Sequence, residues 1–217
     1  MSIRILLVDD HQMFRDGLRS ILDSEPGVEV VGEAGDGRGA VEMARTLAPD
    51  VVVMDIGMHG LNGVEATRQI KADHPEVKVL ALSTYSDRSY VLSMLEAGAS
   101  GYVVKAAAFD EMRRAVQTVA KGKHFLSPDI TGLVVDTHVR EPSPAGGSAK
   151  NALGAREREI LQLLAEGHSS PEIATRLHIS TSTVDSHRRN IMRKLDVHSV
   201  AELTKYAVRE GLTPLDR

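Results

Sequence analysis

The sequence predicts an α/β domain with a five-stranded, doubly wound parallel sheet, followed by a small all-α domain. Short β-branched runs alternate with amphipathic stretches over the first part of the chain, as in serial βα units. A segment rich in Pro, Gly and Ser, EPSPAGGSAK, then interrupts this alternation, and the periodicity after it is purely helical. The predicted boundaries are 1–126 for the first domain, 127–150 for a linker and 151–217 for the second domain.

The predicted strands are nearly continuous in apolar residues, as expected of parallel strands that are covered on both faces. They are Ile3–Val8, Val28–Gly32, Val51–Met54, Val79–Ser83 and Gly101–Val104. The amphipathic stretches between and after them predict helices near Met13–Asp23, Arg38–Leu47, Gly63–Ala72, Ser89–Ala97 and Phe109–Lys121.

Beyond the fifth unit, the pattern predicts a short helix at Asp129–Thr137 and then the linker. Four helices with short joints follow, at Ala155–Glu166, Pro171–His178, Thr181–Leu195 and Ser199–Glu210. Ser170 before Pro171 and Ser180 before Thr181 are typical helix-capping signals.

Composition excludes several classes of function. The chain has no cysteine, so disulfides, thiolate metal sites and cysteine nucleophiles are excluded. No apolar run approaches the roughly 18 residues of a membrane span, and the N-terminus does not resemble a secretory signal, so we expect a cytoplasmic protein without a membrane partner. The net charge is −4, yet His187–Lys194 (HRRNIMRK) is a basic run without an acid.

Polar residues follow four of the predicted strands. Asp9 and Asp10 end the first strand, Asp55 the third, Ser83 the fourth and Lys105 the fifth. The carboxyl ends of parallel strands meet at one edge, where two carboxylates about 4 Å apart repel by roughly 4 kcal/mol at an effective dielectric of 20. Oxygen ligands of this kind suit Mg²⁺. For any single aspartate, a turn or helix cap remains the alternative interpretation.

These residues stand in motifs that resemble the receiver domain of two-component response regulators. The motifs are Val8–His11 (VDDH), Met54–Asp55 with Gly63 downstream, Ala81–Ser83, and Gly101–Lys105 (GYVVK), and the resemblance extends from Ile3 to about Leu126. It implies that Asp55 accepts a phosphoryl group from the phosphohistidine of a sensor kinase.

The resemblance also implies a role for each neighbouring residue. Asp10, Asp55 and the carbonyl of Gly57 would hold Mg²⁺, with assistance from Asp9. Lys105 and Ser83 would contact the phosphoryl oxygens, and Ser83 and Tyr102 would act as the switch pair. The alternative for Tyr102 is an aromatic residue at the edge of the sheet that covers the last helix.

The sequence departs from the receiver pattern at two positions. His59 stands where many members have proline, which bears on loop rigidity and on the lifetime of the phosphoryl group. Ala106 follows Lys105 where many receivers have a proline with a cis bond.

The second domain resembles the LuxR-type helix-turn-helix of the NarL/FixJ class. The resemblance covers Leu153–Leu212 and is carried by Arg156–Glu159, Leu161–Gly167, Glu172–Ala174 and Ile179–Leu195. Gly154 stands where a capping threonine is usual, a difference of a few tenths of a kcal/mol.

The helix that begins near Thr181 has an inward stripe at Val184, Ile191 and Leu195, spaced by seven and four. On the face toward DNA, Asp185, Ser186 and Arg189 are predicted to contact base edges, Arg189 with a guanine. Residues predicted to contact phosphates are Thr183, Arg188, Asn190, Arg193 and Lys194. Asp185 either selects cytosine or pairs with Arg189 four positions on. Taken alone, the basic run favours a merely solvated face, whereas the helix-turn-helix around it favours contact with DNA.

The sequence therefore predicts a response regulator that is phosphorylated on Asp55 by a sensor histidine kinase, dimerises, and binds the half-sites of promoter DNA. It would be no enzyme beyond accepting and slowly losing its own phosphoryl group. A phosphohydrolase that uses an aspartate nucleophile and Mg²⁺ is the first alternative, which turnover of a small phosphate ester would reveal. An unphosphorylated interaction module with a constitutive DNA-binding tail is the second.

Overall fold

A computed structural model describes residues 2–84, 88–106, 109–140 and 153–213, with the backbone alone for 136–140. The chain divides into two compact units, 1–142 and 143–217. The described part of the first unit contains six strands and six helices in the order β1 (Ile3–Val8), α1 (Gln12–Asp23), β2 (Val28–Ala34), α2 (Gly37–Leu47), β3 (Val51–Asp55), α3 (Gly63–Asp73), β4 (Lys78–Ser83), α4 (Arg88–Glu96), β5 (Gly101–Val104), α5 (Phe109–Ala120), β6 (Phe125–Leu126) and α6 (Pro128–Arg140).

The sheet is parallel and has the order β2-β1-β3-β4-β5-β6. The α/β prediction is confirmed, but the sheet has six strands rather than five. The sixth strand is only two residues long and pairs Phe125 with Gly101 and Leu126 with Tyr102. A strand of two residues has neither a hydrophobic run nor an alternation, so the sequence pattern gives no signal for it.

Alternate residues of each strand enter different halves of the core, as the strand period of two requires. Leu6, Val52 and Val79 pack with α2, α3 and α4 on one face of the sheet. Ile5 and Val53 pack with α1 and α5 on the other. With both faces covered, the strands are uniformly apolar, which explains why they could be recognised in the sequence.

The segment predicted as linker begins with a helix that belongs to the first unit. The short helix expected at Asp129–Thr137 is present as α6, which runs to Arg140. Ile130 is fully buried in the same core cluster as Tyr102, and Leu133 and Val134 pack against that cluster. The Pro/Gly/Ser-rich residues 141–150 lie outside the described residues.

The second unit consists of four helices, α7 (Ala155–Ala165), α8 (Ser170–Leu177), α9 (Thr181–Leu195) and α10 (Val200–Arg209), over its described part, 153–213. Gly154 is the N-cap of α7, and its backbone N–H donates to Glu157 Oε2 at 2.9 Å. The Ser180 hydroxyl accepts the Thr183 N–H at 3.1 Å, which confirms the cap that the sequence predicted for α9. Among the helices that the structure describes, none combines the length and hydrophobicity that crossing a bilayer requires.

Candidate functional site

Three carboxylates converge at the carboxyl edge of the sheet. Chain order reverses between β1 and β3, which are neighbours, so the residues that end these two strands meet at the switch point. Asp9 and Asp55 are only 3% and 4% exposed, whereas Asp10 lies at the rim. Ligand atoms of Asp9, Asp10, His11 and Asp55 all lie within 4.8 Å of one another.

Lys105 brings one positive charge to these carboxylates. Its Nζ lies 2.5 Å from Asp9 Oδ2 and 3.2 Å from Asp55 Oδ1. The ammonium also lies 4.8 Å from the centre of the Phe14 ring, so it is held between the acids and an aromatic face of α1. The predicted association of Asp9, Asp10, Asp55 and Lys105 therefore exists in the folded chain.

The surroundings of Asp55 leave one of its oxygens available. Oδ1 accepts the backbone N–H of Ile56 at 2.9 Å as well as facing Lys105. Among the described residues, none donates a hydrogen bond to Oδ2. Burial raises the pKa of Asp55, and the charges of Asp9 and Asp10 raise it further, while Lys105 opposes both.

Gly63 permits the close approach of α3 to the end of β3. A Cβ atom at this position would lie 2.0 Å from the Asp55 carbonyl oxygen. The Gly63 N–H donates to the Ile56 carbonyl at 3.1 Å, and Asn62 caps the helix by accepting the Glu65 N–H at 2.9 Å. The absence of a side chain at Gly63 thus allows the first turn of α3 to pack directly against the backbone of Asp55.

The two predicted switch residues occupy neighbouring strands. Ser83 is buried at the end of β4, and its carbonyl accepts the Lys105 N–H at 2.7 Å. Tyr102 on β5 is fully buried in the core cluster that contains α4 and α6, so the alternative of an edge aromatic is wrong.

Three other residues that were singled out from the sequence, Gly57, His59 and Ala106, lie in the loops beside this site. Gly57 follows Asp55 by two positions and is half-buried, and His59 is exposed in the same loop. The peptide bond between Lys105 and Ala106 is trans, as are the other bonds of the described chain.

His11, the N-cap of α1, and Arg15 within the helix reach the acidic cluster without having been assigned from the sequence. His11 Nδ1 lies 2.8 Å from Asp10 Oδ1 and 3.3 Å from Asp9 Oδ1. The Arg15 guanidinium donates to the Asp9 carbonyl and pairs with Glu33 at 3.5 Å. A spacing of four residues at a helix start, which places His11 and Arg15 on one face, is the signal that could have identified them.

A second surface of interest is the exposed face of α9. Val184 and Ile191 are fully buried and Leu195 packs against the same core, which confirms the inward stripe. The residues predicted to contact DNA lie elsewhere on the helix. Thr183, Asp185, Ser186, Arg189, Arg193 and Lys194 are exposed, and Arg188 and Asn190 are half-buried.

Local contacts order several of these side chains. Arg189 Nη2 donates to the Ser186 hydroxyl at 3.3 Å, and Arg193 Nη2 donates to Asn190 Oδ1 at 3.0 Å. The Asp185 carboxylate accepts the Ser170 hydroxyl at 2.8 Å, so the pairing of Asp185 with Arg189 that the sequence left open does not form.

Lys194 is engaged within the second unit. Its Nζ lies 2.7 Å from Glu157 Oε2, the same oxygen that accepts the Gly154 N–H. Burial opposes ionisation of Glu157, but the hydrogen bonds from Lys194 and Gly154 outweigh it and lower the pKa of this carboxyl. The pair therefore joins the last turn of α9 to the first turn of α7.

Comparisons with known proteins match both parts of the chain to known families. Residues 5–117 match the response regulator receiver domain, and residues 151–207 match the bacterial regulatory proteins of the luxR family. The chain is 39% identical to the transcriptional regulatory protein DegU of Brevibacillus brevis, over 97% of this chain and 94% of that protein.

Two solved structures are similar over nearly the whole chain. The response regulator ChrA of a heme-sensing two-component system is 38% identical, with a TM-score of 0.54 over 97% of this chain and 98% of ChrA. The response regulator RcsB in complex with DNA is 26% identical, with a TM-score of 0.60 over 96% of this chain and 99% of RcsB. The chain therefore belongs to the two-component response regulators in which a receiver domain is joined to a LuxR-type DNA-binding domain.

Proposed function

We propose that this response regulator accepts a phosphoryl group on Asp55 from a sensor histidine kinase and, once phosphorylated, binds promoter DNA as a dimer to regulate transcription. The observation that carries the proposal is the geometry around Asp55. A buried carboxylate has one oxygen held by Lys105 and the Ile56 N–H, while no described residue donates to the other. Because its expected partners include the promoters of a bacterial chromosome, we expect the protein to act in the cytoplasm.

The proposed transfer requires Asp55 to be the nucleophile. Asp55 Oδ2 attacks the phosphorus of the donor phosphohistidine, and an O–P bond forms as the N–P bond breaks. The electron pair of the broken bond remains on the imidazole nitrogen, which takes up a proton. Phosphoryl transfer depends mainly on alignment and on neutralising the equatorial oxygens, and Lys105 is the cation already in position to do this.

The donor set also fits Mg²⁺. Three carboxylates whose oxygens lie within 4.8 Å of one another provide the hard oxygen ligands that this ion prefers. Asp10, Asp55 and the Gly57 carbonyl would hold the ion, with Asp9 assisting. When bound, the ion supplies positive charge that offsets the mutual repulsion of the carboxylates and the charge of the phosphoryl group.

Ser83 and Tyr102 are the proposed route from Asp55 to the rest of the domain. In this proposal the Ser83 hydroxyl moves toward the phosphoryl group, and the Tyr102 ring, which is already fully buried, shifts behind it. The packing of Tyr102 in one cluster with Ile130 supports the idea, because a movement of this ring changes the surface on which α6 lies. The change would alter self-association of the receiver.

Dimerisation is proposed because one copy of the second domain has little net charge. Residues 151–217 contain ten basic and nine acidic side chains, so a single domain attracts DNA weakly. Two linked copies convert the second half-site contact into an effectively intramolecular event and raise affinity without new contacts. The RcsB structures include two RcsB dimers bound to two parallel DNAs, which supports this arrangement.

The proposed chemistry is confined to the protein's own phosphoryl group, which it accepts and slowly loses. The decisive experiment incubates the full chain with Mg²⁺ and acetyl phosphate and locates added phosphoryl mass by peptide mass spectrometry. We expect one phosphoryl group on Asp55 and none in Asp55→Asn, with Asp16→Asn as a control that removes the same charge from the exposed face of α1. Phosphoryl mass on another residue, or rapid multiple turnover of a small phosphate ester, would contradict the proposal.

The DNA half of the proposal has a separate test. Arg189→Ala should weaken binding by about 1–3 kcal/mol and relax the preference at one base pair, because a guanidinium pairs bidentately with guanine. Binding is measured on selected sites and on their single-base variants. A uniform loss over all sequences would make Arg189 a phosphate contact instead.

A further inference from the structure

One acidic side chain lies on the exposed face of α9 among the basic ones. Asp185 is exposed, and Arg189 follows it by four residues, which is about one helical turn. A carboxylate in this position is repelled by the phosphates of any DNA that the helix approaches. It lowers affinity unless it accepts a hydrogen bond in the complex.

The contacts of Asp185 show that its charge is not neutralised inside the protein. Oδ1 accepts the hydroxyl of Ser170, the first residue of α8, at 2.8 Å. Arg189 approaches Asp185 only at its backbone, with its Nε 3.3 Å from the Asp185 carbonyl oxygen. No residue within 153–213 donates a hydrogen bond to Oδ2, so a neutral hydroxyl is the only side-chain partner of this carboxylate there.

The hydrogen bond from Ser170 holds the Asp185 carboxylate in one position but does not neutralise its charge. It joins the start of α8 to the second turn of α9 and satisfies one oxygen, which restricts the side-chain rotamer. The remaining oxygen is left to accept a donor from outside the domain. Positioning of this kind improves selectivity, because little side-chain freedom remains to be lost on binding.

The major groove contains two kinds of base donor, and only one of them suits a carboxylate. Cytosine presents its N4 amino group, whereas adenine presents its N6 amino group beside the N7 acceptor. The N7 lone pair repels a carboxylate oxygen that approaches adenine, so cytosine is the favourable partner. Thymine and guanine present acceptors to this oxygen and are rejected.

We propose that Asp185, positioned by Ser170, selects cytosine at one position of the DNA half-site. This inference rests on the proposed DNA-binding function and adds a base preference to it. Asp185 and Arg189 are about 6 Å apart along the axis of α9, and base pairs are stacked about 3.4 Å apart, so the cytosine lies within about two base pairs of the position that Arg189 contacts.

The test selects bound sequences from random double-stranded DNA with the full chain and acetyl phosphate. Wild type should enrich a site with cytosine at one position. Asp185→Asn should change that position from cytosine to adenine, since an amide pairs with adenine N6 and N7 and still accepts the Ser170 hydroxyl. Asp185→Ala should remove the preference there, about fivefold or more in relative affinity. The other positions should be unchanged.

Two control variants separate the preference from stability and net charge. Asp196→Asn removes the same charge just beyond α9, at a left-handed position that asparagine tolerates, and should leave every base preference intact. Ser170→Ala should reduce discrimination at the cytosine position alone. The inference is overturned if Asp185→Asn and Asp185→Ala leave the selected sequence unchanged, or if they change affinity equally for all bases. If wild type enriches no sequence, the proposed function fails and the inference fails with it.

Discussion

Asp55→Asn is expected to stabilise the receiver domain in the absence of divalent ions, although it removes the proposed phospho-acceptor. The side chain is buried among like charges, and burial together with Asp9 and Asp10 raises its pKa despite Lys105. Because the folded state binds a proton at Asp55 more tightly than the unfolded state does, ionisation of this group opposes folding above its ordinary pKa of about 4.

The distances give the size of the effect. At 4.8 Å or less, each of Asp9 and Asp10 repels Asp55 by roughly 3.5 kcal/mol or more at an effective dielectric of 20. Lys105 at 3.2 Å attracts it by roughly 5 kcal/mol at the same dielectric. The repulsion exceeds the attraction by roughly 2 kcal/mol, so we expect a gain of about 1–2 kcal/mol in the free energy of unfolding at pH 7. The amide still accepts the Ile56 N–H.

Hydrogen exchange of the β1 and β3 amides in increasing urea, followed by mass spectrometry, measures unfolding of the receiver within the full chain. Asp16→Asn is the matched control, because its charge is exposed and its hydrogen bond from Gln12 can persist. The gain should disappear near pH 3, and added Mg²⁺ should stabilise wild type more than the variant. A variant no more stable than the control at pH 7, or a gain that persists at pH 3, would refute the reasoning.

Three further predictions concern packing and capping. Ile130→Ala should cost about 2–5 kcal/mol of receiver stability, because the side chain is fully buried, and should accelerate hydrogen exchange in α6; unchanged exchange would show that α6 is not held by this residue. Gly63→Ala should displace the Asp55 backbone and slow phosphorylation by acetyl phosphate, since the added Cβ would meet the Asp55 carbonyl at 2.0 Å; a wild-type rate would contradict this. Glu157 has a lowered pKa, so its stabilisation is present above about pH 4.3 and is lost as the pH falls. Glu157→Gln should therefore make the free energy of unfolding of the second domain less dependent on pH between pH 7 and pH 3. If the variant shows the same pH dependence as wild type, the Glu157 carboxyl does not contribute to it.

The sequence predicted the receiver fold well because its strands are buried on both faces. Val51–Asp55 is entirely buried, and such a segment has an apolar composition that is visible without any contact information. The acidic residues and Lys105 of the site were equally accessible to prediction, since each of them is the last residue of a parallel strand or lies within two residues after one. Parallel topology then brings Asp9, Asp55 and Lys105 to one edge.

Other features depend on contacts between residues far apart in the chain, and local patterns contain no information on them. The two-residue strand β6 exists because Phe125 and Leu126 find a partner in β5. The link from Ser170 to Asp185 spans 15 residues, and the pair of Lys194 with Glu157 spans 37. Taken by itself, each of these polar side chains looks like an ordinary solvent-exposed surface residue.

The link between Glu157 and Lys194 affects how DNA binding responds to ionic strength. Each phosphate that a basic side chain neutralises releases condensed counterions, and the slope of log affinity against log salt concentration reflects their number. While Lys194 remains with Glu157, 2.7 Å away, it displaces none. The salt dependence of DNA binding by one domain should then correspond to fewer phosphate contacts than the number of basic residues in α9 suggests. The positive charge of Lys194 stabilises the folded domain instead of binding DNA.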